Sequence, residues 1–176
     1  LVIPAIDLKD GKCVRLKEGK MEEETIFSED PIATANSWFS QGAEILHIVD
    51  LDGAIEGRPI NDEIIFSIAS EFPKKRIQVG GGVRNFSSAS QYLDAGIERV
   101  IMGTSAVENP EVLKEFCEQY PDRLVLGIDA LNGLVKTQGW VKGSDITPLE
   151  LVKEFEGHAI AAIVFTDISK DGMMAG

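Results

Sequence analysis

The chain has 176 residues, of which 44% are hydrophobic and 26% charged, the balance of an ordinary globular domain with material for one sizeable core. A net charge of −12 and a pI near 4.6 argue against a nucleic-acid or anionic-membrane surface, because both require clustered Lys and Arg. Any phosphate ligand must therefore be held by local geometry. Cys13 and Cys117 form no C-x-x-C pattern, so buried packing in a reducing cytoplasm is their simplest setting. No stretch approaches the roughly eighteen apolar residues that span a bilayer.

In chain order, six apolar runs read as strands: VIPAID (2–7), ILHIVDL (45–51), RIQVGG (76–81), RVIMGT (99–104), LVLGID (124–129) and AIVFTDI (162–168). They are nearly continuous in hydrophobicity, the pattern of parallel strands covered on both faces. Helix starts are marked between them. Asp30-Pro31, Asn109-Pro110 and Thr147-Pro148 each place a capping residue before a proline at the first helical position, and Thr147 with Glu150 fits a capping box. Gly42 and Gly96 fall where a helix would end in a left-handed cap.

Strand and helix alternating six times predict a parallel sheet with right-handed crossovers. Two features select a (β/α)8 barrel over an open doubly wound sheet. Polar residues collect at the C-terminal ends of many strands, which converge on one mouth only in a barrel. The chain also repeats itself: LVIPAIDLKDG returns as LVLGIDALNG, pairing Ile6 with Ile128, Asp7 with Asp129, Asp10 with Asn132 and Gly11 with Gly133 at an offset of 122. A complete second copy would run to about residue 244, twice that offset, whereas the chain ends at 176. The expectation is one barrel domain over 1–176, truncated after strand 6, with a first half-barrel over about 1–122 and a partial second over about 123–176. Its open edges are expected to favour self-association.

The strand ends supply the chemistry. VGGGVR (79–84) and MGTSA (102–106) follow adjacent strands, and glycines before helix starts let backbone N–H groups cradle a phosphate. Each motif alone is as readily a tight turn; together they favour phosphate. Arg84 either adds a charged contact or caps a surface helix. His158, in EGHAIAA, enters a strand at the end away from the mouth, so proton transfer falls to carboxylates. Asp7 and Asp129 would face each other across the mouth and suit a base and an acid, although either alone could be a turn cap. Asp50, Asp52, Asp167 and Asp171 lack the spacing of a calcium loop and no His or Cys cluster suggests zinc, so no metal is expected. Orientation of a sugar hydroxyl suits these carboxylates better, and Thr166 could hydrogen-bond a substrate or a catalytic carboxylate.

Taken together, PAIDLKDGKCVRL, HIVDLDGA, VGGGVR, MGTSA, GIDA and TDISKDG resemble the phosphoribosylformimino-5-aminoimidazole carboxamide ribotide isomerases of histidine biosynthesis. The resemblance covers the whole chain. It implies a cofactor-free (β/α)8 enzyme performing an Amadori rearrangement of an aminoaldose with a phosphate at each end. By motif, Asp7 is then the proton acceptor and Asp129 the donor. Thr166 is matched and Asp171 is a loop contact, while Gly81, Gly82, Gly103 and Thr104 hold one phosphate. The second phosphate site would lie after strands 7 and 8. The related cyclase subunit of imidazole glycerol phosphate synthase typically carries a cysteine where Ala5 stands. A broader isomerase that also accepts phosphoribosylanthranilate, and a non-catalytic sugar-phosphate-binding relative, are the other readings. The expected partner is a small bisphosphorylated sugar.

Overall fold

A computed structural model describes residues 1–17 and 20–171. In chain order the elements are β1 (Ala5–Lys9), β2 (Lys12–Lys17), β3 (Lys20–Ser28), α1 (Pro31–Ser40), β4 (Ile45–Asp50), α2 (Leu51–Glu56), α3 (Asp62–Glu71), β5 (Arg76–Gly80), α4 (Phe86–Asp94), β6 (Arg99–Met102), α5 (Thr104–Glu108), α6 (Pro110–Gln119), β7 (Leu124–Leu131), β8 (Leu134–Thr137), β9 (Lys142–Gly143), α7 (Pro148–Glu154) and β10 (Ile160–Asp167).

The six expected strands are β1, β4, β5, β6, β7 and β10, and each pairs in parallel with the next. Their C-terminal ends therefore face one way, as in a (β/α)8 barrel. No pairing joins β1 to β10 among the described residues, so the sheet is an open arc, the shape expected of the first six parallel strands of a barrel. Inside the arc, alternate residues of β1, β4, β7 and β10 face the interior: Ala5 and Asp7, His47 and Val49, Gly127 and Asp129, Val164 and Thr166. Outside it, Ile48, Ile77 and Val100 pack under the helices with Ile65, Ile68 and Leu113, all at most 1% exposed. Aromatic contacts tie neighbouring helices: Phe39 meets Phe72 at 5.2 Å between centroids, and Phe86 meets Phe116 at 5.6 Å.

Two antiparallel hairpins were not foreseen as strands. β1 runs into β2 through Asp10 and Gly11, at φ 48° and 75°, and β7 runs into β8 through Asn132 and Gly133, at φ 53° and 80°. Two consecutive left-handed residues make the tight turn whose twist matches paired strands, and Asp-Gly and Asn-Gly are the dipeptides that tolerate it. The hydrophobic runs obscured this, because β2 and β8 are short and half polar.

Helix capping follows expectation at two of three places. Asp30 accepts from Ala33 N at 2.9 Å, and Thr147 and Glu150 close the full capping box. Asn109 makes no side-chain cap; it is the single residue between α5 and α6, the C-cap of one and the N-cap of the other, and its backbone N–H donates to Ser105 O at 2.8 Å. Gly42 and Gly96 adopt φ 97° and 93°, just past α1 and α4. The expectation that every parallel strand is covered on both faces fails at β10, whose outward Ile163 and Phe165 are 43% and 58% exposed. The chain after residue 171 lies outside the described residues, including the final glycine of TDISKDG.

Candidate active site

The strand ends surround a cavity of about 470 Å³. Asp7 and Asp129 both line it, and they occupy equivalent places: Asp7 pairs with Val14 across its hairpin, Asp129 with Lys136 across the other. The duplicated turn fixes this, since both aspartates lie three residues before the first left-handed residue. Their surroundings differ. Burial pushes the Asp7 carboxyl up to about 6, and the nearby negative charge of Asp171 adds to the rise. Burial also raises Asp129, but Trp140 and the Thr166 hydroxyl donate hydrogen bonds to it and draw it back down. Asp171, from the loop after β10, is raised by burial and by the charge of Asp129, and all three carboxylates line the one cavity.

Thr166 reaches Asp129 because β10 lies beside β7 with the two residues in register. The residue in register with Asp7 on β4 is Val49, which has no donor to offer.

The glycine loops form the adjoining wall. Gly81, Gly82, Arg84, Gly103 and Thr104 all line the cavity. Gly81 and Gly82 stand at φ 94° and 76°, and a Cβ on either would strike backbone: Asp50 O for the first, Arg58 O at 2.5 Å for the second. Only glycine permits this backbone path. Gly103 is equally confined, with Gly127 O 2.7 Å from any added Cβ. Ser105 Oγ donates to Arg84 O at 2.9 Å, bracing one loop on the other. Thr104 Oγ1 accepts from Gln138 N at 2.9 Å, which leaves its own proton for a ligand. Arg84 lines the cavity while its Nη2 donates to Ala54 O at 2.9 Å, in the last turn of α2, so one guanidinium both caps that short helix and stands in the site wall.

Two of the expected contact residues are placed elsewhere. Asp50 is completely buried and its side chain caps α2, accepting from Gly53 N at 2.8 Å. Asp52 lies on the far side of the β1 turn, accepting from Asp10 N at 2.8 Å. Neither lines the cavity, although Leu51 and Ala54 of the same stretch do, because the Asp50 carboxylate is turned back onto Gly53 N and that of Asp52 onto Asp10 N. Orientation of a sugar hydroxyl therefore does not fall to them.

Three cavity residues were not singled out from the sequence. Arg15, on β2, places a cation at the rim. Trp140, at φ 72° in the hairpin between β8 and β9, arches back to Asp129. His47 faces inward from β4 with its Nδ1 2.8 Å from the Gln78 amide nitrogen, and burial drops its pKa to about 4, so it is neutral at pH 7. A period-two reading of ILHIVD would have pointed His47 and Val49 to the same face. Arg15 and Trp140 depended on recognising the hairpins. No group of three or more His, Cys, Asp or Glu among the described residues is arranged to hold a metal. His158 sits beside Phe155, ahead of β10 and away from the mouth, as expected.

The histidine biosynthesis protein family model matches residues 1–176. The chain belongs to this family. Three curated relatives carry the same name, 1-(5-phosphoribosyl)-5-((5-phosphoribosylamino)methylideneamino)imidazole-4-carboxamide isomerase. That of Alcanivorax borkumensis is 52% identical, and those of Ruthia magnifica and Hahella chejuensis are each 49% identical. Each match covers the whole of this chain and 72% of the relative. The relatives are thus longer isomerases, and the part they share with this chain is the part that here builds the strand arc and its glycine loops. No helix among the described residues is long and apolar enough to cross a membrane.

Proposed function

We propose that the chain is the aldose–ketose isomerase of histidine biosynthesis that its relatives' names describe, carrying out an Amadori rearrangement on the phosphoribosylformimino aminoimidazole carboxamide ribotide. The observation that carries this reading is the pair of equivalent strand-end carboxylates, Asp7 and Asp129, facing one cavity in unlike surroundings. A base with a pKa near 6 is ionised at pH 7 yet more basic than a surface aspartate, which suits removal of a carbon-bound proton.

In the first step, Asp129 in its protonated form gives its proton to the ribose ring oxygen. The C1–O bond breaks as the nitrogen lone pair forms a protonated Schiff base. Asp7 then takes the C2 proton, and the C2–H electron pair becomes the C1–C2 double bond of an enolamine. Finally the proton on Asp7 passes to C1 while the C2 hydroxyl proton returns to Asp129, leaving the ketose and both residues reset. Trp140 and Thr166 orient the Asp129 carboxyl group, and the charge of Asp171 favours a proton remaining in the pocket. Gly81, Gly82, Gly103 and Thr104, with Arg84 beside them, hold one substrate phosphate through backbone amides, a hydroxyl and one cation. Such a cradle suits a chain of net charge −12, because it needs no basic patch.

The test is turnover of the bisphosphorylated aminoaldose by the 176-residue chain, followed by chromatographic separation of aldose and ketose, with phosphoribosylanthranilate as the second substrate. Turnover of the first alone supports the reading. Phosphate-sensitive binding with no turnover of either would replace it with a binding function.

A further inference from the structure

Asp50 and Asp52 sit beside the site without entering it, and the bonds they make point to a different task. The Asp50 carboxylate accepts four hydrogen bonds, all from the segment that follows it. Gly53 N and Asn61 Nδ2 donate to Oδ1 at 2.8 and 2.7 Å, while Ile60 N and Asn61 N donate to Oδ2 at 2.8 and 2.9 Å. The second amide proton of Asn61 goes to Asp52 Oδ2 at 2.8 Å, and its Oδ1 accepts from Gly11 N at 3.0 Å. Asp52 Oδ2 also accepts from Asp10 N. Thus one buried asparagine joins two carboxylates and the β1 turn that follows Asp7.

The other face of this segment is the floor of the glycine loop. Gly81 lies so close to Asp50 O that no side chain fits between them, and Gly82 packs on Arg58 O and Gly53 O at 2.5 and 2.8 Å from an added Cβ. Whatever sets the path of 53–61 therefore sets the height of the glycine backbone. We propose that Asp50, Asn61 and Asp52 form a positioning strut that fixes the 80–84 loop against the strand end carrying Asp7, holding the bound phosphate at a constant distance from the base. The proposal rests on the reading of Gly81 and Gly82 as a phosphate cradle.

Asp50→Asn keeps the shape of the side chain but turns one acceptor oxygen into a donor facing N–H groups, which disrupts the clamp. The test follows backbone amide resonances of the full 176-residue chain during titration with inorganic phosphate. In the parent, Gly81 and Gly82 amides should shift saturably, and the Asn61 side-chain amide should shift with them. Asp50→Asn should weaken phosphate at Gly81 and Gly82 at least tenfold. Asp52→Asn, at a more accessible position, should weaken it about threefold. Leu151→Ala, a cavity in α7 away from the loop, should lower the melting temperature and leave phosphate affinity within twofold.

If the parent amides do not move, the cradle reading falls, and the strut with it. If they move and both aspartate variants bind phosphate within twofold of the parent, the cradle stands and the strut is wrong. Equal weakening by Leu151→Ala would also overturn the strut, since general destabilisation would then account for the loss. Should Asp50→Asn fail to fold, Asp52→Asn decides alone: threefold weaker binding supports the strut and unchanged binding overturns it.

Discussion

The two hairpin-bearing strands, β1 and β7, are near copies in backbone and unlike in chemistry. Each carries an aspartate that faces the cavity, each turns on two left-handed residues, and each lies in parallel beside the next barrel strand. At the register position beside the aspartate, however, β4 offers Val49 and β10 offers Thr166. Asp7 thus bears its burial without a donor on that side, whereas Asp129 has two donors. One position further, the same registers match Asp50 with Asp167. The first is buried in four hydrogen bonds, and the second is exposed, its side chain accepting from Ser169 N and Oγ. A duplicated backbone therefore supplies two equivalent positions, and single neighbouring side chains give their carboxylates unlike surroundings.

The most severe way to break the comparison is to remove one carboxylate at a time. Asp7→Asn should lower kcat about a thousandfold, or ~4 kcal/mol of barrier, measured as steady-state turnover of the aminoaldose. Activity within tenfold of the parent would show that Asp7 is not the base. Asp129→Asn should cost about a hundredfold or more, with KM little changed.

The same Asp7 variant makes an opposite prediction for stability. Because the folded-state pKa of Asp7 lies above its unfolded value, its carboxyl contributes stability that is fully present below about pH 4 and is lost as the pH rises through about 6. A rise from 3.8 to about 6 corresponds to about 3 kcal/mol as an upper bound. Asp7→Asn should therefore unfold at higher urea than the parent at pH 8, and at nearly the same urea at pH 4. A loss of stability at pH 8 would mean that burial does not oppress this carboxylate.

Exchanging the neighbours sharpens the comparison further. Val49→Thr should lower the Asp7 pKa and carry the acid limb of the pH–rate profile downward. Thr166→Val should raise that of Asp129 and reduce kcat by about tenfold, or ~1.4 kcal/mol. Carboxyl carbon resonances followed against pH would read both shifts; unmoved titrations would assign the difference between the aspartates to something other than these two residues.

The smallest effect concerns the margin of the sheet. β10 pairs only with β7 among the described residues and turns Ile163 and Phe165 outward. Sedimentation of the 176-residue chain should show concentration-dependent association, and Phe165→Lys should weaken it several-fold, because an edge lysine resists strand addition. A parent that stays monomeric at high concentration would contradict this.

Much of this was legible in the residues alone, for reasons that are local. A strand buried on both faces has to be apolar along its length, so β4, β5, β6 and β7 stood out. Asp30 and Thr147 marked helix starts because a capping side chain bonds amides only three residues away. Gly81 and Gly82 signalled a special backbone because no other residue takes that path beside Asp50 and Arg58. The 122-residue repeat was enough to put Asp7 and Asp129 at matching strand ends. What lay beyond reach depended on partners distant in the chain. Whether Asp50 touches a ligand or a loop is decided by Asn61 folding back over it, and nothing in VDLDGA encodes that encounter. Trp140 reaches Asp129 only once β8 and β9 pair, and Val49 or Thr166 acquires meaning only when strand register sets it beside an aspartate. Periodicity and caps act within a few residues, so the sequence states them directly. Burial, charge and hydrogen-bond partnership arise from groups brought together across the fold, and the tertiary structure alone assigned them.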